Sequence, residues 1–499
     1  MVKSLKQQAL ENVVIGSGPN GILISNLLIK QGKKVLLIEA GDFEKESALL
    51  TRDSYNFHTP SKIPEGVHLV GGGCTQWLGR VGEFYDSDYL AHVNRGQNWP
   101  IDKNEMSHYF KKLYKLILSD DELDSDFIRN EQVVSEFKKI LPNPFELRLF
   151  RFSNLEIFAR LLDALLPKQE FQILTRSFCT EIISDDSGTY TLLIKNDLGT
   201  HTEIVAKRVI IAGGTLQSTA LLLRSEKLTI PSREEVLGNY LMEHFDGFIG
   251  NLLVRNQDTD LLSRMCLDVK HQFGNKKFGI SFSLSHHEIL KFGFPNLHFE
   301  IVPYRKHYIY EPSPLGSWIP DLVRKRIFFL ERVLRYVLTP FLKKYDELKG
   351  QRRFTIWMKG EEFPNVLSTL RLSTQKDSFL NPKLEYNHKV SEITSKMVRE
   401  QIRHVRFHLE SNGLGKFLPY RNLMNKRHTF YLKPNWHPMG TCLMGDNPLF
   451  SICDANLELH NNKNLYLLNA GVFPTGSNQN PTSMVMALAF RLAEHLESQ

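Results

Sequence analysis

Cysteine is scarce in this chain: Cys74, Cys179, Cys266, Cys442 and Cys453 are the only five among 499 residues, and no two form a CxxC pair. So small, odd and scattered a set excludes a disulfide framework and fits a reducing compartment. No run of 18 apolar residues occurs, so no transmembrane helix is expected. The first ten residues, MVKSLKQQAL, lack the apolar core of a secretory leader. These absences predict a cytoplasmic protein. Also missing are internal repeats, low-complexity tracts, zinc-finger spacing and any arginine-rich arm. The 62 basic residues face 55 acidic ones along the whole chain, so the net charge of +7 does not predict a nucleic-acid partner. A composition of 42% hydrophobic and 23% charged residues is that of an ordinary globular protein, too long here for one core.

What the chain does have begins at once. Val13-Val14-Ile15 leads into Gly16-x-Gly18-x-x-Gly21, and a second apolar run, Val35 to Ile38, ends at Glu39. This is the strand, glycine turn, helix, strand and acid order of a dinucleotide-binding βαβ unit. Gly16 allows the turn, Gly18 lets backbone approach a pyrophosphate, and Gly21 lets helix pack on strand. The pyrophosphate is expected on the helix N-terminus, and Glu39 is placed to hold ribose hydroxyls. The motif does not distinguish FAD from NAD.

Further along, Gly71-Gly72-Gly73-Cys74-Thr75-Gln76-Trp77 suggests backbone pressed against a large ligand. Residues 105 to 118 read as a charged surface helix. Strands are expected at 172–174, 190–194, 204–205 and 208–211, the last ending in Ala212-Gly213-Gly214 before a helix through Leu223. Between about 246 and 436 short alternating runs recur, as at 278–284, 297–302 and 354–358, predicting a mostly antiparallel sheet with one face covered. Leu322 to Leu338 is a basic amphipathic run, either a surface helix or a membrane-interface helix. Near the end stand the loop-like His437-Pro-Met-Gly440, a buried strand through Asn469-Ala470-Gly471, and Asn480-Pro481-Thr482 opening an apolar helix. Asn480 suits the N-cap, with Pro481 at the first helical position.

Taken together, VIGSGPNG…LIEAG, the glycine loop at 70–73, AGGTLQS at 212–218, LGNYLMEH at 237–244, HPMGTCLMG at 437–445 and NAGVFPTGSNQNPTS at 469–483 resemble the glucose-methanol-choline (GMC) oxidoreductases. Within that family the short HPMGTC and NPT forms look most like the pyranose-oxidase and bacterial sugar or glycoside dehydrogenase branch. The resemblance implies an α/β (α+β) protein whose Rossmann-type FAD domain is discontinuous. Segments 1–98, 170–245 and 437–499 would form it, with a cap segment at 99–169 and an antiparallel substrate domain at 246–436. It implies FAD rather than NAD. The expected cofactor residues are Gly16, Gly18, Asn20, Gly21, Glu39 and Ala40; Gly72, Gly73, Cys74 and Gln76; Cys179, Ala212 and Gly213; and Asn469, Ala470, Asn480, Pro481 and Thr482.

By the same resemblance His437 matches the active-site histidine and Asn480 its partner. A base must take the hydroxyl proton when hydride leaves a carbinol carbon, and histidine titrates near neutral pH. Asn480 would donate its amide N–H to that oxygen, and the dipole of the following helix would stabilise negative charge on the reduced flavin. Gln76 stands where covalently flavinylated pyranose oxidases carry a histidine, so noncovalent FAD is expected; the position of His68 fits that linkage poorly. The implied substrate is an alcohol of a sugar, polyol or glycoside, for which His298, Glu300 and Trp357 offer polar and aromatic groups. Alternatives are a sterol or lipid-like alcohol taken from a membrane and a non-redox lyase or binding protein. The electron acceptor would be O2, a quinone or a redox protein. A homo-oligomer is allowed.

Overall fold

Val13 and Val14 are fully buried, because strand β1 (Leu10–Ile15) runs through the middle of a sheet. A strand covered on both faces needs a continuous apolar run, and this one has it. β1 pairs in parallel with β2 (Val35–Ile38), and β2 with β4 (Phe171–Leu174). On its other side β1 pairs in parallel with β5 (His201–Ile211), whose C-terminal end pairs with β11 (Leu465–Leu467). An antiparallel hairpin of Ser177–Ser184 and Tyr190–Asn196 extends the sheet from the first half of β5. The computed structural model describes residues 9–43, 55–57, 69–75, 77, 79–91, 93–94, 98–117, 135, 138–139, 141–153, 156–185, 188–255, 262, 271–273, 276–304, 340–377, 381–425, 433–434 and 436–499.

The second sheet is antiparallel, as the alternating runs predicted. Its order is β10 (Lys416–Pro419), β6 (His244–Arg255), β9 (Gln351–Glu361), β8 (Leu297–Pro303), β7 (Lys276–Leu284), β3 (Phe145–Phe152) and the short strand Arg80–Val81. One face packs on α4 (Glu392–Ser411), which inserts Val398, Ile402, Val405 and Leu409 among Phe245, Phe282, Phe299 and Phe354. That spacing places the four on one helical stripe.

Helix α1 (Pro19–Lys30) follows β1, and α3 (Gly214–Arg224) follows β5. The C-terminal α5 (Pro481–Glu497) packs against α1 and against α2 (Lys103–Ile117). α2 is the helix expected at 105–118, but it is more than a surface element: Met106, Phe110, Leu113, Tyr114 and Ile117 are buried on one face. The basic amphipathic run, residues 322–338, lies outside the described residues. No described helix is long and apolar enough to cross a membrane.

Candidate functional site

The glycine turn works by exclusion. Gly16 has φ +100°, and a Cβ there would come within 2.7 Å of the Gly213 Cα. A Cβ on Gly21 would lie 1.8 Å from the Gly16 carbonyl oxygen, so the first turn of α1 seats directly on the loop. Gly18 differs: a Cβ there would meet nothing within 4 Å, and Gly18 lines a cavity of about 420 Å3. Gly18 is also the N-cap of α1 and supplies no side-chain cap. The amides of the first turn are thus free to hold an anion at this wall.

The same cavity gathers sequence-distant residues expected to bind a cofactor. Gly16, Asn20, Glu39, Ala40, Gly72, Gly73, Cys179, Ala212, Gly213, Asn469, Ala470, Pro481 and Thr482 line it along with Gly18. Gly21 and Asn480 do not line it; Gly21 packs behind the turn, and Asn480 stands at the N-cap position of α5. Gln76 and His68 lie outside the described residues, as does the side chain of Cys74. Glu39 is buried, and its carboxylate accepts hydrogen bonds from the Ser17 amide at 2.9 Å, the Ser17 hydroxyl at 2.7 Å and the Gly41 amide at 2.8 Å. Ser17 in turn accepts from the Gly71 amide at 3.1 Å, so the acid, the turn and the glycine loop are one unit.

Several buried polar atoms on the wall lack a partner: Asn20 Oδ1, Ser218 Oγ, Asn469 Nδ2 and Trp77 Nε1. Buried polar groups are nearly always hydrogen-bonded in folded proteins. Four orphans around one glycine-lined cavity fit a large polar ligand that satisfies them. The wall therefore fits a dinucleotide, with the glycine turn and α1 for its phosphates and the α5 terminus for an electron-rich end.

His437 lines that cavity beside Trp436 and Pro438. Its Nδ1 lies 3.0 Å from His244 Nδ1, and His244 Nε2 lies 3.0 Å from the Gly476 carbonyl oxygen. A carbonyl only accepts, so His244 Nε2 carries the proton and its Nδ1 a lone pair. The network therefore assigns His437 an Nδ1–H donated to His244, which leaves His437 Nε2 as the unprotonated nitrogen. Burial, with the nearby charges of Lys359, His244 and Arg80, holds His437 well below the ordinary histidine range. Burial likewise keeps His244 neutral. The backbone of His437 is pinned as well: its amide donates to Glu243 at 2.8 Å, and the Tyr386 hydroxyl donates to the other Glu243 oxygen at 3.0 Å. Burial pushes Glu243 up to about 7.

Asn480 is the N-cap of α5 and has extended backbone, as its position before Pro481 predicted, yet its side chain does not cap the helix. Instead its Oδ1 accepts a hydrogen bond from Lys359 Nζ. The stronger partner wins, since a charge-assisted bond in a buried site outweighs a neutral cap. With Oδ1 engaged, the amide Nδ2 is the group left to donate. Lys359 is buried on β9, and burial followed by repulsion from Arg80 brings it down to about 7. Beside it, Arg80 forms a 2.9 Å ion pair with fully buried Glu300, and the Arg80 guanidinium stacks 3.4 Å from the Phe150 ring centroid. Burial lowers His298 to about 4, and the Trp357 ring lies 5.9 Å from it.

Lys359, Arg80, Glu243 and His244 were not read as site residues from sequence. For the last two a signal existed in LGNYLMEH. Lys359 sits in an ordinary-looking strand, where only the register opposite His298 and Asp246 brings it to the site. The described cysteines, Cys179, Cys442 and Cys453, are free and buried. Burial raises Cys179 to about 12 and Cys442 to about 11, so neither offers a thiolate.

Residues 364–489 match a family model described as GMC oxidoreductase. A stretch of 63 residues is 38% identical to 2-methyl-1,2-propanediol dehydrogenase of Mycolicibacterium austroafricanum, covering 13% of this chain and 11% of that protein. The chain thus spans about a tenth of the length of the relative it matches. Pyridoxine 4-oxidase from Mesorbium loti has a similar structure, with a TM-score of 0.60 at 16% identity over 98% of this chain and 99% of that one. A formate oxidase of Aspergillus oryzae, studied for FAD modification, gives 0.58 at 14% identity over 98% of each chain. At these identities the likeness shows the fold alone, a Rossmann-type parallel sheet joined to an antiparallel sheet.

Proposed function

We propose that the chain is a GMC oxidoreductase, a reading supported by the match of residues 364–489 to that family's model, and that it oxidises the CH–OH group of an alcohol to a carbonyl, with FAD as the bound cofactor. The observation that carries this reading is His437, a neutral imidazole on the wall of the dinucleotide-shaped cavity, with Nε2 freed by its bond to His244. FAD held by the glycine turn, the 71–73 loop, Asn469 and the start of α5 supplies a hydride acceptor. The rest belongs to the protein. His437 Nε2 takes the hydroxyl proton, and its neutral state means it arrives ready to do so. Asn480 Nδ2 donates to the same oxygen, and Lys359 behind it places positive charge where the alkoxide develops. Segments 1–98, 170–245 and 437–499 are assigned to the cofactor and the antiparallel sheet to the substrate.

A sugar, polyol or glycoside remains the favoured substrate class. Lys359, Arg80, Glu300 and His298 form a buried polar cluster behind Asn480, outside the cavity lining, and that polar surround suits a donor with several hydroxyls better than a sterol. Anaerobic mixing of the purified protein with sugars, polyols and 1,2-diols is expected to bleach the flavin absorbance with at least one of them. A flavin that no alcohol reduces would overturn the assignment in favour of non-redox chemistry. Readmitting air then separates an oxidase from a dehydrogenase.

Noncovalent FAD is part of the same proposal. Acid or heat denaturation is expected to release the flavin into the supernatant; flavin that stays with the precipitate would show a covalent link.

The pH dependence has a definite sign. His437 stays unprotonated through neutral pH, so it produces no inflection near the usual ~6.5 of histidine. Lys359 is charged below about 7 and loses that charge above it. The flavin-reduction rate is therefore expected to fall as pH rises through about 7, and Lys359→Met to flatten that limb. An unchanged limb in the variant would remove Lys359 from the reaction.

A further inference from the structure

Away from the cavity, three side chains point at one spot. His404 and His408 lie one turn apart on α4, and Glu288 comes from the neighbouring helix His286–Phe292. His404 Nε2 is 2.6 Å from Glu288 Oε2 and 3.2 Å from His408 Nε2. All three side chains are partly buried, and none lines the dinucleotide cavity. Phenylalanine rings wall the spot: Phe292 and Phe294 pack on His404 at centroid distances of 4.9 and 5.6 Å, and Phe145 on His408 at 6.2 Å.

Hydrogen bonding does not satisfy this arrangement. A carboxylate oxygen only accepts, and a neutral imidazole nitrogen either donates one hydrogen or offers one lone pair. If His404 Nε2 donates to Glu288, it has no lone pair for His408. If it accepts from His408 instead, it stands at 2.6 Å from Glu288 with lone pair against lone pair. One hydrogen serves two of the three atoms, whereas a cation serves all three. The spacing agrees with that. Tetrahedral ligands at about 2.0–2.1 Å from zinc stand roughly 3.3 Å from one another, which matches the histidine pair. Glu288 would move out by about 0.7 Å to match it too.

We propose that Glu288, His404 and His408 form a three-ligand site for a divalent transition-metal ion of the zinc class. Two imidazoles and a carboxylate suit such an ion, and the HxxxH spacing on one helix face presents both histidines together. The bound ion ties the helix His286–Phe292 to α4 on the substrate-side sheet. Partial exposure leaves the fourth position to water.

The test uses the full chain as purified, treated with chelator, desalted and titrated with Zn2+ by calorimetry. One saturable ion per chain is expected, with a rise in unfolding temperature. Co2+ is expected to give the visible d–d absorption of a four-coordinate site. Changing supporting residues around metal ligands typically costs 10–100-fold in affinity, so removing ligands should cost at least about 100-fold. His404→Ala/His408→Ala and Glu288→Gln are each expected to show that loss while keeping their flavin. Absence of saturable Zn2+ binding, or wild-type affinity in Glu288→Gln, would overturn the site. Glu288→Gln decides alone if the double variant is insoluble, because glutamine keeps the shape and a hydrogen bond to His404.

Discussion

His437→Ala is expected to slow flavin reduction by an alcohol ~10²–10⁴-fold, the range for removing a general base. That corresponds to about 3–5 kcal/mol of lost transition-state stabilisation. The effect should fall on the chemical step and spare cofactor content. His437 is one wall residue among many around the cavity, whereas the glycine turn, the 71–73 loop and Asn469 are untouched by the change. The His437 backbone is held by Glu243 through an amide that alanine retains. Stopped-flow reduction under anaerobic conditions separates the two effects, since flavin absorbance reports content before mixing and rate after it. A variant reduced at the wild-type rate would exclude His437 as the base. One that lacks flavin would instead make it a cofactor-binding residue.

Gly21→Ala should have the second large effect, of the opposite kind. The added Cβ would sit 1.8 Å from the Gly16 carbonyl oxygen, where no flexible side chain stands to give way. Relief requires α1 to lift off the turn. That displaces Gly18, the N-terminal amides and the Ser17–Glu39 contact together. The protein is expected to purify without yellow colour, or with FAD that passes through a desalting column. Gly18→Ala is the control: its Cβ meets nothing in the protein, so any loss of FAD there measures crowding of the ligand alone. Full flavin occupancy in Gly21→Ala would show that the loop tolerates the shift and that helix seating does not set FAD affinity.

The fold was legible where local pattern and burial agree. Val13 to Ile15 could only be a strand covered on both faces. The period-2 runs at 278–284, 297–302 and 354–358 gave the antiparallel sheet, but not its burial: Leu297 to Val302 are buried on both faces, where one covered face was expected. Reading failed where partners decide. The charged surface helix expected at 105–118 is there, but its partner was not legible: Met106, Phe110 and Leu113 fall on one buried stripe, and α5 packs against this helix. Asn480 looked like a helix cap because the cap is a local bond. Its side chain turned to Lys359, a residue 121 positions away that no local rule places beside it.

By itself, then, the sequence determined the parts whose physics is short-range: glycines that only a turn and a close ligand explain, strand runs, the proline opening α5, and His437 as a titratable group in a glycine-flanked loop. Tertiary structure alone decided the state of those parts. The proton on His437 is assigned by His244, the amide of Asn480 is oriented by Lys359, and both imidazole and lysine are pushed from their ordinary pKa by burial. Those are properties of a low-dielectric interior assembled from segments hundreds of residues apart, and no stretch of sequence contains them.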